Sequence, residues 1–421
     1  MGKFIVKGGN ILRGVVKVSG AKNSALPIIC ASILTSEKVR LLNIPTELED
    51  VKVQLSMLEG AGANISIKVD TVSIDSASMT KNEVFMDSEK SIRTSLLMLG
   101  SLLGKFGRAR VPLPGGDNIG DRRYDLHIYA LERLGAKIKI NNDGFLEAEC
   151  NGLRGAEIEF PFRTTGGTEN AMIAASLAMG TTIIKNAHTR PEVVDLANFL
   201  NSMGAKVIIR GSGYIEIEGV TELYGTNYSI IPDNVEALTF IIASALTGGD
   251  VEIKHCPINM LEIPMIYLRE SGVNFYKDDD SLFVTRNNTV TSVDLSTGSY
   301  PGINSDFQPL FTVFATQAKG KSRITDIRFI NRFEYAKELN KMGANIIIQG
   351  NTAIVEGERK LKGCQVNAQD IRGGAALIVA GLCADGETII DNAYQINRGY
   401  EQIENKFIGL GAEFKNELDE A

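Results

Sequence analysis

The segment LNSMGAKV, residues 200–207, closes a helix and opens a strand in a single pass. Leu200 and Met203 lie three apart on one helical face. Gly204 can take the left-handed backbone that stops a helix, and an alternating strand begins after it. The same passage recurs as MLEGAGANI (57–65), LERLGAKI (131–138), LRESGVNF (268–275), LNKMGANI (339–346) and FIGLGAEF (407–414). The stop glycines Gly62, Gly135, Gly204, Gly272, Gly343 and Gly411 are separated by 73, 69, 68, 71 and 68 residues. Six units of about seventy residues thus account for the 421-residue chain.

Two further passages fill each unit. One is a small-residue helix followed by a turn and a strand: residues 24–44, 169–187, 236–255 and 375–393. These helices are apolar on nearly every side and are predicted to be buried all round. The other is a strand pair joined through Leu-x-Gly, at Leu12/Gly14, Leu153/Gly155, Leu223/Gly225 and Leu361/Gly363. Each unit therefore reads strand–strand–helix–strand–helix–strand. One such unit is too small to bury both helices. Several packed about a common axis, helices inward and sheets outward, solve that problem. Six divide most simply as three and three, giving two lobes and a cleft, a common place for ligands. Composition marks no linker; the candidate crossings lie at Gly20–Lys22 and Pro232–Asn234.

The bulk numbers exclude several classes. Apolar residues make up 44% and charged residues 23%, as in an ordinary globular protein. A net charge of −7 argues against a nucleic-acid partner. Five scattered cysteines and three histidines offer no zinc spacing and suit a reducing cytoplasm. The N-terminus MGKFIVKGGN is too short and polar for a signal peptide, and no apolar run approaches the ~18 residues of a membrane span.

Against this regular background, charge appears where it is least expected. Lys22 and Asn23 stand just before a buried helix, although the helix dipole disfavours a cation there; a bound anion would reverse that preference. Arg93 opens the apolar run IRTSLLML in the same way. Asp306 stands at a helix start, where an N-cap is the simplest role. Arg332, Arg372 and Arg398 each come just ahead of a predicted helix. Singly, each arginine reads as a solvated charge. Together with Lys22 and Arg122 they make a positive well suited to a carboxylate or phosphate ligand. The pattern breaks most sharply at LPGGDNIGDRRYDLH (113–127), a glycine-rich loop that carries Asp117, Asp121, Arg122, Arg123, Asp125 and His127. By itself it reads as a solvated turn between a strand over 108–113 and a helix from about Asp125. Set beside the arginines, it has the make-up of an active-site loop.

The motifs SGAKN (19–23), LPGG-x-x-IG-x-R-x-x-DLH (113–127), RPEVVD (190–195), INSDFQ (303–308), NRF (331–333), DIR (370–372) and NRGYE (397–401) occur in this order on the six repeats. In them the chain resembles the enolpyruvyl transferases end to end, and within them the branch whose acceptor is UDP-N-acetylglucosamine. The resemblance implies a two-lobed inside-out α/β barrel of six βαβαββ units. One lobe would span 22–231, with a mobile loop at 113–123. The other would combine 1–21 with 232–421, and the active site would lie in the cleft. It implies transfer of the enolpyruvyl group of phosphoenolpyruvate to the 3-hydroxyl of UDP-N-acetylglucosamine by addition and elimination. The setting is peptidoglycan precursor synthesis in the cytoplasm, without metal or organic cofactor, nucleic acid or membrane. By motif, Asp306 would take the hydroxyl proton and Asp117 would serve as acid. Lys22, Arg122 and Arg398 would hold phosphoenolpyruvate, helped by Arg332 and Arg372. Asn23, Arg93, Arg122, Arg123, Tyr124, Asp125, Leu126, Thr164, Thr165 and Arg328 would hold the UDP-sugar.

The sequence departs from the family at defined places. Asp117 replaces the usual loop cysteine. An unperturbed Asp has a pKa of ~3.9 and nearby cations lower it, so donating a proton requires burial or a second carboxylate to raise it. Asp117 also has no sulfur to form the thioether that fosfomycin makes with the usual cysteine, which predicts insensitivity. Arg190 stands where the family commonly has Glu, and Arg163-Thr164-Thr165 replaces a Pro-Ser-Val type of segment. Asn234 replaces an Arg, Ile330 a Glu, and Arg123 and Tyr124 alter the uracil side. The phosphoenolpyruvate residues are intact while the acceptor side is edited. A paralogue using another nucleotide acceptor fits that pattern, and so does a non-catalytic nucleotide-sugar sensor. The sensor is opposed by the retention of Lys22, Asp306 and every arginine. A shikimate-phosphate enzyme shares the architecture, but SGAKN and the Asp117 loop are not its motifs.

Overall fold

The structure, a computed structural model, describes residues 2–86, 92–115, 124–211, 213–286, 289–329 and 331–417. Asp117, Arg122, Arg123 and Ile330 lie outside these residues, as does all of the 113–123 loop beyond Gly115. The chain divides into two compact units, breaking after Ser19 and after Ile231. The first break comes two residues earlier than the boundary expected at residue 22.

In the unit over residues 20–231 three sheets are described. Asn227–Ser229, Val39–Leu42, Thr71–Asp75 and Asn64–Lys68 form the first in that order. Arg108–Pro112, Phe145–Glu149 and Lys137–Ile140 form the second. Lys206–Arg210, Tyr214–Glu218, Thr181–Lys185 and Glu157–Glu159 form the third. The other unit repeats the plan with three four-stranded sheets. Both N-terminal strands belong to it. Lys3–Lys7 lies between Glu387–Asp391 and Glu413–Glu417, and Arg13–Lys17 runs parallel to Asp250–Lys254.

The stop glycines behave as their sequence requires. All six have φ between +90 and +103°, a region closed to most side chains. The Leu-x-Gly segments join consecutive strands, as expected, but the two strands belong to different sheets. Each leads into a short edge strand; those at Glu157–Glu159, Asn227–Ser229 and Gln365–Asn367 pair parallel with Thr181–Lys185, Val39–Leu42 and Glu387–Asp391. The leucines Leu12, Leu153, Leu223 and Leu361 are buried. A side chain at Gly155 or Gly363 would collide with the backbone of Thr181 or Glu387 in the adjoining strand.

Within each unit the small-residue helices form the centre. Every residue from Gly167 to Ala175, from Asn234 to Ala245 and from Ile371 to Leu382 is buried. The companion helices, such as Glu49–Gly60 and Glu334–Lys341, bury one face only. Each buried Leu or Ile contributes about 1.5–3 kcal/mol by leaving water, so each unit has its own large core. Among the described residues, no helix is long and apolar enough to cross a membrane.

Candidate active site

In the 20–231 unit, Lys22 is the first residue of the Lys22–Ala31 helix and is buried, 7% exposed, not solvated. Its amine pairs at 3.2 Å with Asp50, which comes from the first turn of Glu49–Gly60. Asn23 beside it is half-buried. Ser24, one residue on, donates to the buried carboxylate of Asp195 from Pro191–Ser202. Asp195 also accepts Tyr228 Oη at 2.6 Å and the Ile231 amide at 3.3 Å. Burial raises its pKa against the help of these donors. The start of the Lys22 helix is thereby fixed.

Arg93 begins the 3-10 turn Arg93–Leu96 and is half-buried. Tyr124 is half-buried, Asp125 exposed and Leu126 buried at the start of Asp125–Arg133. Thr164 caps Thr165–Ala175, its hydroxyl accepting the Gly167 amide at 3.3 Å. Thr165 Oγ1 lies 2.9 Å from His188 Nδ1. Arg190 makes a two-pronged bond to the buried Glu192, Nε–Oε2 2.7 Å and Nη2–Oε1 2.6 Å. Glu169, deeper in the same region, has its pKa pushed up to about 8, chiefly by burial.

In the other unit Asp306 sits in the one-turn segment Ser305–Phe307. The capping role belongs to Asn304, whose side chain accepts the Asp306 amide at 3.2 Å. This corrects the simplest expectation for Asp306 and leaves its carboxylate for other partners. Arg332 Nη2 donates to Asp306 Oδ1 at 2.7 Å, and Arg372 Nε lies 3.8 Å from Oδ2. Arg372 is the second residue of Ile371–Cys383, a helix capped by Asp370. Arg332 is held in the turn before Glu334–Lys341, with its guanidinium carbon 5.2 Å from the Phe329 ring centre. The Arg372 guanidinium carbon lies 5.1 Å from the Tyr400 ring centre. Burial opposes both charges, but Asp306 and Asp370 raise Arg332 and Tyr400 and Asp306 raise Arg372, so both stay cationic. Arg332 Nε and Nη1 and Arg372 Nη1 are buried with no hydrogen-bond partner among the described residues. Unmet guanidinium donors of this kind are costly unless an anion reaches them.

Arg398 is buried and donates to Gln395 at 3.0 Å. It ends the one-turn helix Tyr394–Asn397, which the sequence did not announce, so it does not lead directly into a helix. Arg328 is exposed, its guanidinium carbon 5.5 Å from the Phe329 ring centre. Asn234 is the buried first residue of a helix capped by Asp233. Thus the structure gathers Asp306, Arg332 and Arg372 into one cluster in one unit. In the other it gives Lys22 a buried partner that the sequence did not single out. Asp50 was hidden because an acid in a first helical turn is ordinary.

Buried arginines with unmet donors about one carboxylate, on a six-repeat α/β chain, define an anion-binding site. A family model described as EPSP synthase (3-phosphoshikimate 1-carboxyvinyltransferase) matches residues 6–407, and the chain belongs to that family. It is 43% identical over 417 residues to the UDP-N-acetylglucosamine 1-carboxyvinyltransferase of Magnetococcus marinus, covering 99% of both chains. It is 44% identical over 419 residues to the protein of the same name from Koribacter versatilis, covering 99% of this chain and 96% of that one. Among solved structures it resembles the enolpyruvyl transferase NikO from Streptomyces tendae, with TM-score 0.90, 23% identity and 99% of each chain covered. The EPSP synthase of Acinetobacter baumannii matches with TM-score 0.80, 18% identity and 99% and 100% coverage. The fold is the mixed α/β fold of these enzymes.

Proposed function

We propose that the chain transfers the enolpyruvyl group of phosphoenolpyruvate to the 3-hydroxyl of UDP-N-acetylglucosamine and releases phosphate, a step of peptidoglycan precursor synthesis in the cytoplasm. The observation that carries this is the trio Asp306–Arg332–Arg372, a half-buried carboxylate flanked by two buried guanidinium groups with donors to spare. Whole-length relatives bearing the transferase name support the choice of acceptor.

In this account Asp306 removes the proton of the sugar hydroxyl, whose oxygen adds to C2 of phosphoenolpyruvate. Asp117 delivers a proton to the methylene carbon, giving a tetrahedral ketal. Phosphate then leaves, and loss of a methyl proton restores the double bond. Lys22, Arg122 and Arg398 hold the phosphate and carboxylate, and Arg332 and Arg372 balance the charge that builds up. Asn23, Arg93, Arg123, Tyr124, Asp125, Leu126, Thr164, Thr165 and Arg328 serve the UDP-sugar.

The test is anion binding. Calorimetry with phosphoenolpyruvate alone, which the chain cannot turn over without acceptor, is expected to show binding weakened at least tenfold in Arg372→Met, a loss of about 1.4 kcal/mol. Equal affinity of parent and variant would remove the observation on which the proposal stands.

A further inference from the structure

Asp326 follows the strand Lys321–Thr325, is 1% exposed, and belongs to none of the motifs that mark the site. Its carboxylate joins two segments that carry site residues. Oδ2 accepts the hydroxyl of Ser305, the residue immediately before Asp306. Oδ1 accepts Thr297 Oγ1 at 3.0 Å, the Arg328 amide at 2.9 Å and the Phe329 amide at 3.1 Å. The turn bearing Asp306 and the loop leading to Arg332 are thus tied to one buried group. From the far side, Arg332 reaches Asp306 at 2.7 Å and packs over Phe329. The links close into a ring: Asp326, Ser305, Asp306, Arg332, Phe329 and back to Asp326. A carboxylate taken out of water needs donors on both oxygens, and here they come from the elements whose spacing matters to Asp306.

We infer that Asp326 is a positioning residue for the transfer, which through Ser305 and the 328–329 amides fixes how Asp306 faces the acceptor hydroxyl and Arg332. The inference rests on the function proposed above. A base displaced by a fraction of an ångström loses rate without losing substrate affinity, which gives the role a kinetic signature. Ser305→Ala cuts the link to Asp306 alone; it is expected to lower kcat roughly tenfold while both KM values stay within about twofold. Thr297→Val removes a bond to the same carboxylate away from Asp306, and is expected to lower Tm with kcat within about twofold of the parent. Asp326→Asn keeps Oδ1 as acceptor and lets its amide donate to Ser305, so it should recover most of the activity that Asp326→Ala loses. Parental kcat in Ser305→Ala, or equal losses of kcat in Ser305→Ala and Thr297→Val, would overturn the inference alone. A parent chain with no acceptor-dependent turnover would overturn it together with the proposed function.

Discussion

Asp306 and Arg332 show what a single buried pair commits the molecule to. The Arg332 side chain is 2% exposed, so deleting the carboxylate removes its hydrogen-bonded counter-charge in the core and is expected to destabilise the fold. Asn at 306 keeps an acceptor there and removes only the base, which makes it the cleaner variant for chemistry. At residue 117 the expectation is chemical: a carboxylate cannot form the stable thioether that a cysteine forms with fosfomycin. Preincubation with fosfomycin is expected to leave turnover unchanged, whereas Asp117→Cys should be inactivated with time. Time-dependent loss in the parent would contradict this. At this scale the sequence was readable where a charge broke an apolar pattern, as at Lys22 and Arg372, which the structure buries. It was unreadable where a charge sat in an ordinary place. Asp50 looks like any first-turn acid, and Asp326 like any residue at a strand end.

The helix Thr165–Ala175 shows what an element adds to its residues. Its burial on every side was legible from the small apolar residues around it, and that burial makes its one carboxylate, Glu169, anomalous. Burial, and then repulsion from Glu192, outweigh attraction by Arg190 and raise its pKa from 4.5 to about 8. A carboxyl whose folded pKa lies above its unfolded one binds more protons when folded across that window. The folded state is therefore favoured at low pH and loses stability as pH rises from about 4.5 toward 8. Glu169→Gln mimics the protonated form. Thermal melts should find it several degrees more stable than the parent at pH 8.5 and equal to it near pH 5. A constant difference at both pH values would show that Glu169 is ionised in the folded chain.

Across the whole molecule the repeat was legible because six glycines must share one backbone conformation, and the sequence has no substitute for them there. Nothing in composition marks the crossings; backbone bonding does. Asp233 N donates to Ser19 O inside one unit, and Ala21 N to Ile231 O inside the other. Residues 20–231 form an uninterrupted segment with its own core, so this segment expressed alone is expected to melt cooperatively. Removing residues 1–19 instead takes an internal strand from the sheet of the other unit and should unfold that unit. A non-cooperative melt of 20–231 would show that its core does not suffice.

The most direct measurement is phosphate release from phosphoenolpyruvate, with and without UDP-N-acetylglucosamine, in the parent chain and in Asp306→Asn. The account predicts release that depends on the acceptor and is lost in Asp306→Asn while the variant remains folded. Release with UMP but not with UDP-N-acetylglucosamine, or binding of both substrates with no release at all, would contradict it.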